Sequence, residues 1–356
     1  MSISVETKNI KEFTRVYQAE YIYSCGYYSQ NCWVDDNRLI LTRKRNLPKD
    51  KFCGGTDLVL VDVENKTEKV IFSQELMGIS YVVHKNIVYF VKTKNQLCSI
   101  DVETLEEKTL YTCETDIVQP HITADGGYIA WFDAEGKTMK QTCRRIDLKT
   151  CEVEKMLEVG FLPPFYVANH FMICPTDPDK IFFAHEGDTT YITNRLWMFE
   201  KGKEPYNLAK QRLDENGNLI DCFGHESWAA DGKGLYFVKY DVSPSKPTGI
   251  GYVDLETREV KILYTKNKYW HVCAAPNGKY LAADLGPNDL DENNLMNSGV
   301  CLINMENNTE EIIVNVKNHR SHPGHPHPQF NPSCSRMCFH DAFADGTLSV
   351  GIVDIK

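Results

Sequence analysis

The chain alternates between short apolar runs and turn-forming residues, and it rarely shows the spacing of an amphipathic helix. Leu58-Val-Leu-Val-Asp-Val, Ile87-Val-Tyr-Phe-Val, Ile181-Phe-Phe-Ala and Leu235-Tyr-Phe-Val are strand-length runs, with Asp-Gly and Asn-Gly pairs punctuating the chain. Such runs predict strands joined by tight turns. A phrase then recurs: Val61-Asp-Val-Glu, Ile100-Asp-Val-Glu, Ile146-Asp-Leu-Lys, Val253-Asp-Leu-Glu, Ile303-Asn-Met-Glu and Val353-Asp-Ile-Lys. Its acidic or amide residue stands at positions 62, 101, 147, 254, 304 and 354, with gaps of 39, 46, 107, 50 and 50. The gap of 107 is double the usual spacing, and Leu196-Trp-Met-Phe-Glu fills its middle. Seven units follow, each with room for four strands, which is the size of a propeller blade. The expected fold is therefore all-β, a seven-bladed β-propeller forming one domain over residues 1–356. The chain ends just beyond Asp354, so the last blade is expected to take its outer strand from around Glu12-Phe-Thr-Arg-Val-Tyr. Closure of that kind removes exposed sheet edges.

A second feature repeats in phase. Several units open on a strand running into an Asp or Asn turn, at Asp36, Asp125, Asp231, Asn277 and Asn331. Six residues earlier stand Gln30, Gln119, His225, His271 and His325, and four residues before two of the turns stand His121 and His327. Positions two apart share a strand face. On the innermost strand of each blade they would converge on one mouth of the central channel, where packing alone would call for aliphatic residues.

Composition narrows the partners. Lys and Arg total 39 against 49 Asp and Glu, a net charge of −10, and no basic run offers a face for phosphates. Nucleic acid is not an expected partner. No run approaches eighteen apolar residues, so no membrane-spanning helix is expected, and the start of the chain lacks the apolar core of an export signal. The thirteen cysteines are scattered without a Cys-x-x-Cys pair, which reads as small reduced core residues and a cytoplasmic location.

Three clusters carry candidate chemistry. In Ser321-His322-Pro-Gly-His325-Pro-His327, alternation lets His325 and His327 share one ion, with His322 reaching it from the preceding turn and His271 matching from the neighbouring unit. A solvated histidine-rich loop is the alternative, and imidazole alone does not choose among Mn, Fe, Ni and Zn. In Gly224-His225-Glu-Ser-Trp228, His225 is a candidate general base beside a metal-bound substrate, or else a hydrogen-bonded core histidine. Arg195 interrupts an apolar strand near His185, and either pairs with an internal carboxylate or forks onto an anionic ligand. The nucleophile elbow, the P-loop and the Rossmann glycine fingerprint are missing.

Together these residues resemble the oligogalacturonate lyases. The resemblance lies in Gln30-Asn-Cys32, His185-Glu-Gly, Arg195-Leu-Trp, His225-Glu-x-Trp228 followed by Asp231-Gly, and His325-Pro-His327-Pro-x-Phe330, in order along nearly the whole chain. It implies a seven-bladed propeller that cleaves short pectin fragments, with a divalent metal, manganese, held by His271, His322, His325 and His327. It further implies His225 as base and Arg195 as an active-site arginine. His185 and Gln30, from these motifs, and Gln119 and His121, from the polar phase of the inner strands, are expected against the substrate. His322 departs from the family pattern, which has glutamine there; the softer set leaves Zn or Fe open. A lyase or epimerase on another uronate shares the same first step, and a non-catalytic interaction propeller is the reading from fold alone.

Overall fold

The computed structural model describes residues 11–27, 29–45, 55–76, 78–134, 139–286, 288–319, 324–343 and 347–355. Among the described residues, twenty-eight strands form seven four-stranded antiparallel sheets arranged as the blades of a β-propeller. Six blades are consecutive in sequence. The fourth, for example, runs Val167–Ile173, Lys180–Glu186, Leu196–Glu200 and Tyr206–Asn207, from the channel outward.

The recurring phrase marks the end of the third strand of a blade. Its physical cause is a side-chain turn: the Asp or Asn carboxyl or amide oxygen accepts a backbone N–H just ahead in the chain. Asp101 Oδ1 accepts from Glu103 N at 2.8 Å, Asp147 Oδ1 from Lys149 N at 2.8 Å and Asn304 Oδ1 from Glu306 N at 3.0 Å.

The seventh blade joins both ends of the chain. Gln329–Phe330, Arg336–Ala342 and Leu348–Asp354 supply three strands and Thr14–Val16 the outermost, pairing Thr14 with Ile352 and Val16 with Val350. The closure predicted around Glu12-Phe-Thr-Arg-Val-Tyr is present. Phe13 meets Phe339 edge-on at 5.1 Å, and Arg15 Nε donates to Asp341 Oδ2 at 2.9 Å. Phe13 is half-buried, so Phe13→Ala should cost about 1–2 kcal/mol, below the full core penalty. A lower urea midpoint at unchanged slope would show it.

The core is divided among the interfaces between blades. One apolar cluster joins the second and third blades through Val82, Val91, Ile129 and Trp131, and another joins the fifth and sixth through Val238, Ile250, Val272 and Ala283. The cluster around Trp33 and Phe90 also takes in Cys338 and Val350 of the seventh blade, so apolar packing closes the ring. Of the described cysteines only Cys151 and Cys273 escape full burial, in keeping with small core residues. Among the described residues no helix is long and apolar enough to cross a membrane.

Candidate active site and metal centre

The inner strands explain the polar phase. In six blades one hydrogen bond closes the first hairpin: Val34 N to Arg38 O, Thr123 N to Tyr128 O, Cys174 N to Lys180 O, Ala229 N to Gly234 O, Ala275 N to Tyr280 O and Asn331 N to Arg336 O. The residue four places before each donor is Gln30, Gln119, His170, His225, His271 and His327 in turn. Gln119, His170, His225 and His327 have φ of 46°, 54°, 49° and 46°, a left-handed conformation unusual for these residue types. In three of the blades the pairing register slips there, between Val118 and His121, Asn169 and Met172, and Gly224 and Ser227. In these three blades the inner strand thus bulges at the same level, which re-aims its side chain.

This register corrects the sequence phase in two places. Asn331 is the first residue of its turn whereas Asp125, Asp231 and Asn277 are the third, so the equivalent in the seventh blade is His327 rather than His325. The fourth blade's turn is one residue longer, so counting six back from Asp177 lands on Phe171 and hides His170. His325 and His327 also lie ahead of the strand Gln329–Phe330, not within it.

His271, His325 and His327 converge, each offering a ring nitrogen within 4.8 Å of the others, and all three are buried. His271 Nε2 and His327 Nε2 are 3.2 Å apart; two imidazole nitrogens that close share a proton or a cation, because bare lone pairs would repel. Asp284 organises the pair from behind. Its carboxylate lies 2.9 and 3.0 Å from His271 Nδ1 and accepts His271 N at 2.7 Å and His327 N at 3.1 Å. A proton held on Nδ1 by that carboxylate leaves the Nε2 lone pair for a ligand, which is how metal-binding histidines are usually oriented. Burial pushes the Asp284 carboxyl up to about 7. The donor set therefore fits a divalent cation. His340 fixes the third histidine: its Nδ1 donates to His325 O at 2.7 Å, and its Nε2 accepts Cys25 N at 3.0 Å. His322 lies outside the described residues.

Asp284→Asn should weaken metal affinity by about 10- to 100-fold without removing a first ligand. Titration of the metal against a competing chelator reads this directly, and unchanged affinity would deny Asp284 the orienting role.

His225 stands beside the trio, its ring centroid 3.9 Å from that of His271. Its Nδ1 lies 2.7 Å from Trp270 O and 2.6 Å from Tyr240 Oη. A carbonyl only accepts, so Nδ1 carries the proton and the lone pair resides on Nε2. Burial holds the imidazole well below its ordinary pKa, reinforced by His271, His170 and Arg195. A neutral imidazole in such a setting can serve as a general base.

Arg195 is fully buried, and carboxylates occupy its fork. Nε donates to Glu226 Oε1 at 2.5 Å, and Nη1 and Nη2 donate to Glu186 at 3.2 and 3.4 Å. Burial acts to raise the Glu186 carboxyl, but Arg195 and His170 more than reverse it, and the group stays below its ordinary range. His170 lies between these acids, 3.5 Å from Glu186 and 3.8 Å from Glu226, and burial lowers its pKa.

The remaining candidates are dispersed. Gln119 borders a cavity of about 400 Å³ with Tyr27, His170 and His327, which adjoins one of about 430 Å³ reaching Gln30. Gln30 lines both this second cavity and a larger third one, its Nε2 donating to Pro120 O at 2.9 Å. His121 lines that third cavity, of about 600 Å³, which none of the three clustered histidines touches. His185 stands outside the cluster, with Nδ1 2.7 Å from Asn194 Oδ1 and Nε2 2.7 Å from Phe165 O. Sequence reasoning missed His170 and Asp284, and named Glu186 and Glu226 within motifs without a role, although an internal carboxylate was one of the two partners it offered Arg195. An acid in the apolar run Leu281-Ala-Ala-Asp284-Leu was the available signal for Asp284.

Known proteins provide an independent comparison. No family model matches the chain. An oligogalacturonide lyase of Pectobacterium atrosepticum is 22% identical over 378 residues, covering 92% of this chain and 89% of its own. An oligogalacturonate lyase of Dickeya dadantii is 21% identical over 375 residues with the same coverage. The chain resembles the oligogalacturonate lyases. A solved oligogalacturonate lyase in complex with manganese superposes with a TM-score of 0.78 at 19% identity, covering 98% of this chain and 94% of the other. The oligogalacturonate lyase from Vibrio parahaemolyticus gives 0.77 at 18% identity, covering 100% and 96%. The oligogalacturonate lyase likeness thus spans the whole propeller rather than a few blades.

Proposed function

We propose that this chain is a metal-dependent lyase that cleaves short oligogalacturonates by β-elimination, with residues 1–356 acting as one domain in the cytoplasm. The observation that carries the reading is a half-buried His225, its pKa held well below the ordinary value, whose ring lies 3.9 Å from that of His271, a member of the three-histidine cluster.

A uronate's C5 proton is weakly acidic because it lies α to a carboxylate. A divalent cation held by His271, His325 and His327, manganese by likeness to the solved complex, supplies charge to neutralise that carboxylate and favour the enolate-like transition state. His225 Nε2 takes the C5 proton. The C–H electron pair becomes the C4=C5 bond as the C4–O4 bond breaks, and O4 departs with its electron pair. Arg195 suits that oxygen better than it suits a carboxylate, because Glu226 and Glu186 already fill its fork. Gln119, at the cavity wall, is positioned to hold the ring hydroxyls.

The protein is acidic and its proposed substrate polyanionic, so long-range steering does not help and attraction is local. That favours a short oligomer over polymeric pectin.

The test is the absorbance of the conjugated 4,5-unsaturated product with di- and trigalacturonate, with Mn²⁺ and with chelator. A rise that chelator stops supports the reading. No rise from metal-loaded protein overturns it in favour of another uronate, and no rise with no bound metal leaves a binding propeller.

A further inference from the structure

The exposed side chains of the fourth blade form a ledge on two connections, one leading into the strand that carries His170 and the other ending at Arg195. The connection 160–166 leads into Val167–Ile173, whose Asn169 and His170 border the cavity shared with His327. The connection 187–195 follows Lys180–Glu186, whose last residue pairs with Arg195. On these two segments Leu162 is 85% exposed and Tyr191 69%, with Tyr166 also exposed. Exposed apolar side chains on two connections that meet through Phe165 and Tyr191 mark a contact surface.

The ledge is held in place. Phe165 stacks on Tyr191 at 6.3 Å and 25°. It also packs over Gly187, where a Cβ would come within 2.6 Å of the Phe165 ring, so only glycine admits it. His185 ties the two segments together: its ring nitrogens bond Phe165 O and Asn194 Oδ1, and its ring stacks on Phe161 at 3.7 Å and 17°. Phe161 N donates to Tyr166 O at 3.0 Å, which closes the first segment on itself. The Asp188 carboxylate beside Tyr191 is turned into its own loop, accepting Thr190 N at 2.9 Å and Thr190 Oγ1 at 2.7 Å.

We propose that this ledge is an outer subsite for a uronate oligomer, with Tyr191 and Phe165 stacking on the apolar face of a sugar beyond the unit that undergoes elimination. His185 is its positioning residue. The proposal rests on the lyase reading for its ligand and on continuity between ledge and cluster for its place. Glu186 faces Arg195 while its neighbours His185 and Gly187 hold the ledge, so three consecutive residues join both sites. An aromatic face binds the C–H face of a pyranose without a charge partner and with little ordering cost, because the ring is already fixed.

The subsite makes affinity depend on chain length. Tyr191→Ala should raise KM for tetragalacturonate by about three- to tenfold with kcat unchanged and KM for digalacturonate unmoved. Tyr191→Phe should restore the parent value, because stacking needs the ring and not the hydroxyl. Equal effects on dimer and tetramer, or no effect on either, would overturn the subsite. So would a change in oligomeric state by light scattering without a change in KM, which would make the ledge a contact between copies. If no oligogalacturonate is turned over, the lyase reading fails by itself. Calorimetric binding of tetragalacturonate to the same three proteins then decides the ledge: weaker binding by Tyr191→Ala alone supports it, and equal binding removes it.

Discussion

Replacing His225 by alanine is expected to lower kcat by about 10²- to 10⁴-fold, the usual worth of a positioned general base, while bound metal stays at the parent level. The two readouts separate because His225 adjoins the histidine trio without belonging to it. Backbone relief does not explain such a loss, since alanine at a φ of 49° is as strained as histidine. The pH dependence follows from the same environment. Burial foremost, then His271, His170 and Arg195, depress the pKa of His225, so its basic form persists below the ordinary histidine value of about 6.5. The rate should therefore hold its plateau through pH 6.5 and fall only as pH drops through the depressed value. A profile that instead falls on going below pH 7, or a His225→Ala protein that keeps its turnover, would assign the proton transfer elsewhere.

The fold was legible because its cause is local and repeated. An Asp or Asn that turns the chain after the third strand recurs in most blades, and counting those residues is equivalent to counting blades. The missing outer strand of the seventh blade was legible for the same reason, because one unit lacked a strand at the end of the chain. The site was only partly legible. Histidines at His271, His325 and His327 stand out where aliphatics belong, but the level at which a side chain enters the channel depends on where the following turn begins and how long it is, and either changes the count. A single extra residue in one turn concealed His170, and a turn counted from the wrong residue put His325 in the place of His327. Partners across the sheet were beyond sequence altogether. Asp284 reaches His271 from a neighbouring strand, and Glu226 meets Arg195 across two blades. His185 and Glu186 illustrate the remaining difficulty: adjacent in a motif, they point to opposite faces, one to the ledge and one to the arginine.

Removing two ligands together, His271→Ala with His327→Ala, should abolish stoichiometric metal and bring activity to the level of chelated parent protein. A single imidazole, His325, does not hold a divalent ion against competing chelator, and affinity at such sites depends on ligand number and geometry. The fold should survive, because the hairpin closing each of these inner strands is made by backbone atoms, Ala275 N to Tyr280 O and Asn331 N to Arg336 O. Asp284 is the group left exposed to consequence. It keeps the N–H groups of residues 271 and 327 but loses the imidazole beside it, and burial already pushes its carboxyl up to about 7. It should then become neutral rather than remain an unpaired buried charge. Metal analysis of the purified double variant checks the first claim and circular dichroism the second. Full metal content would mean that the ion is held elsewhere, and full activity without metal would remove the cation from the reaction. Against His225→Ala, which should keep the ion and lose the rate, the pair separates holding the carboxylate from taking the proton.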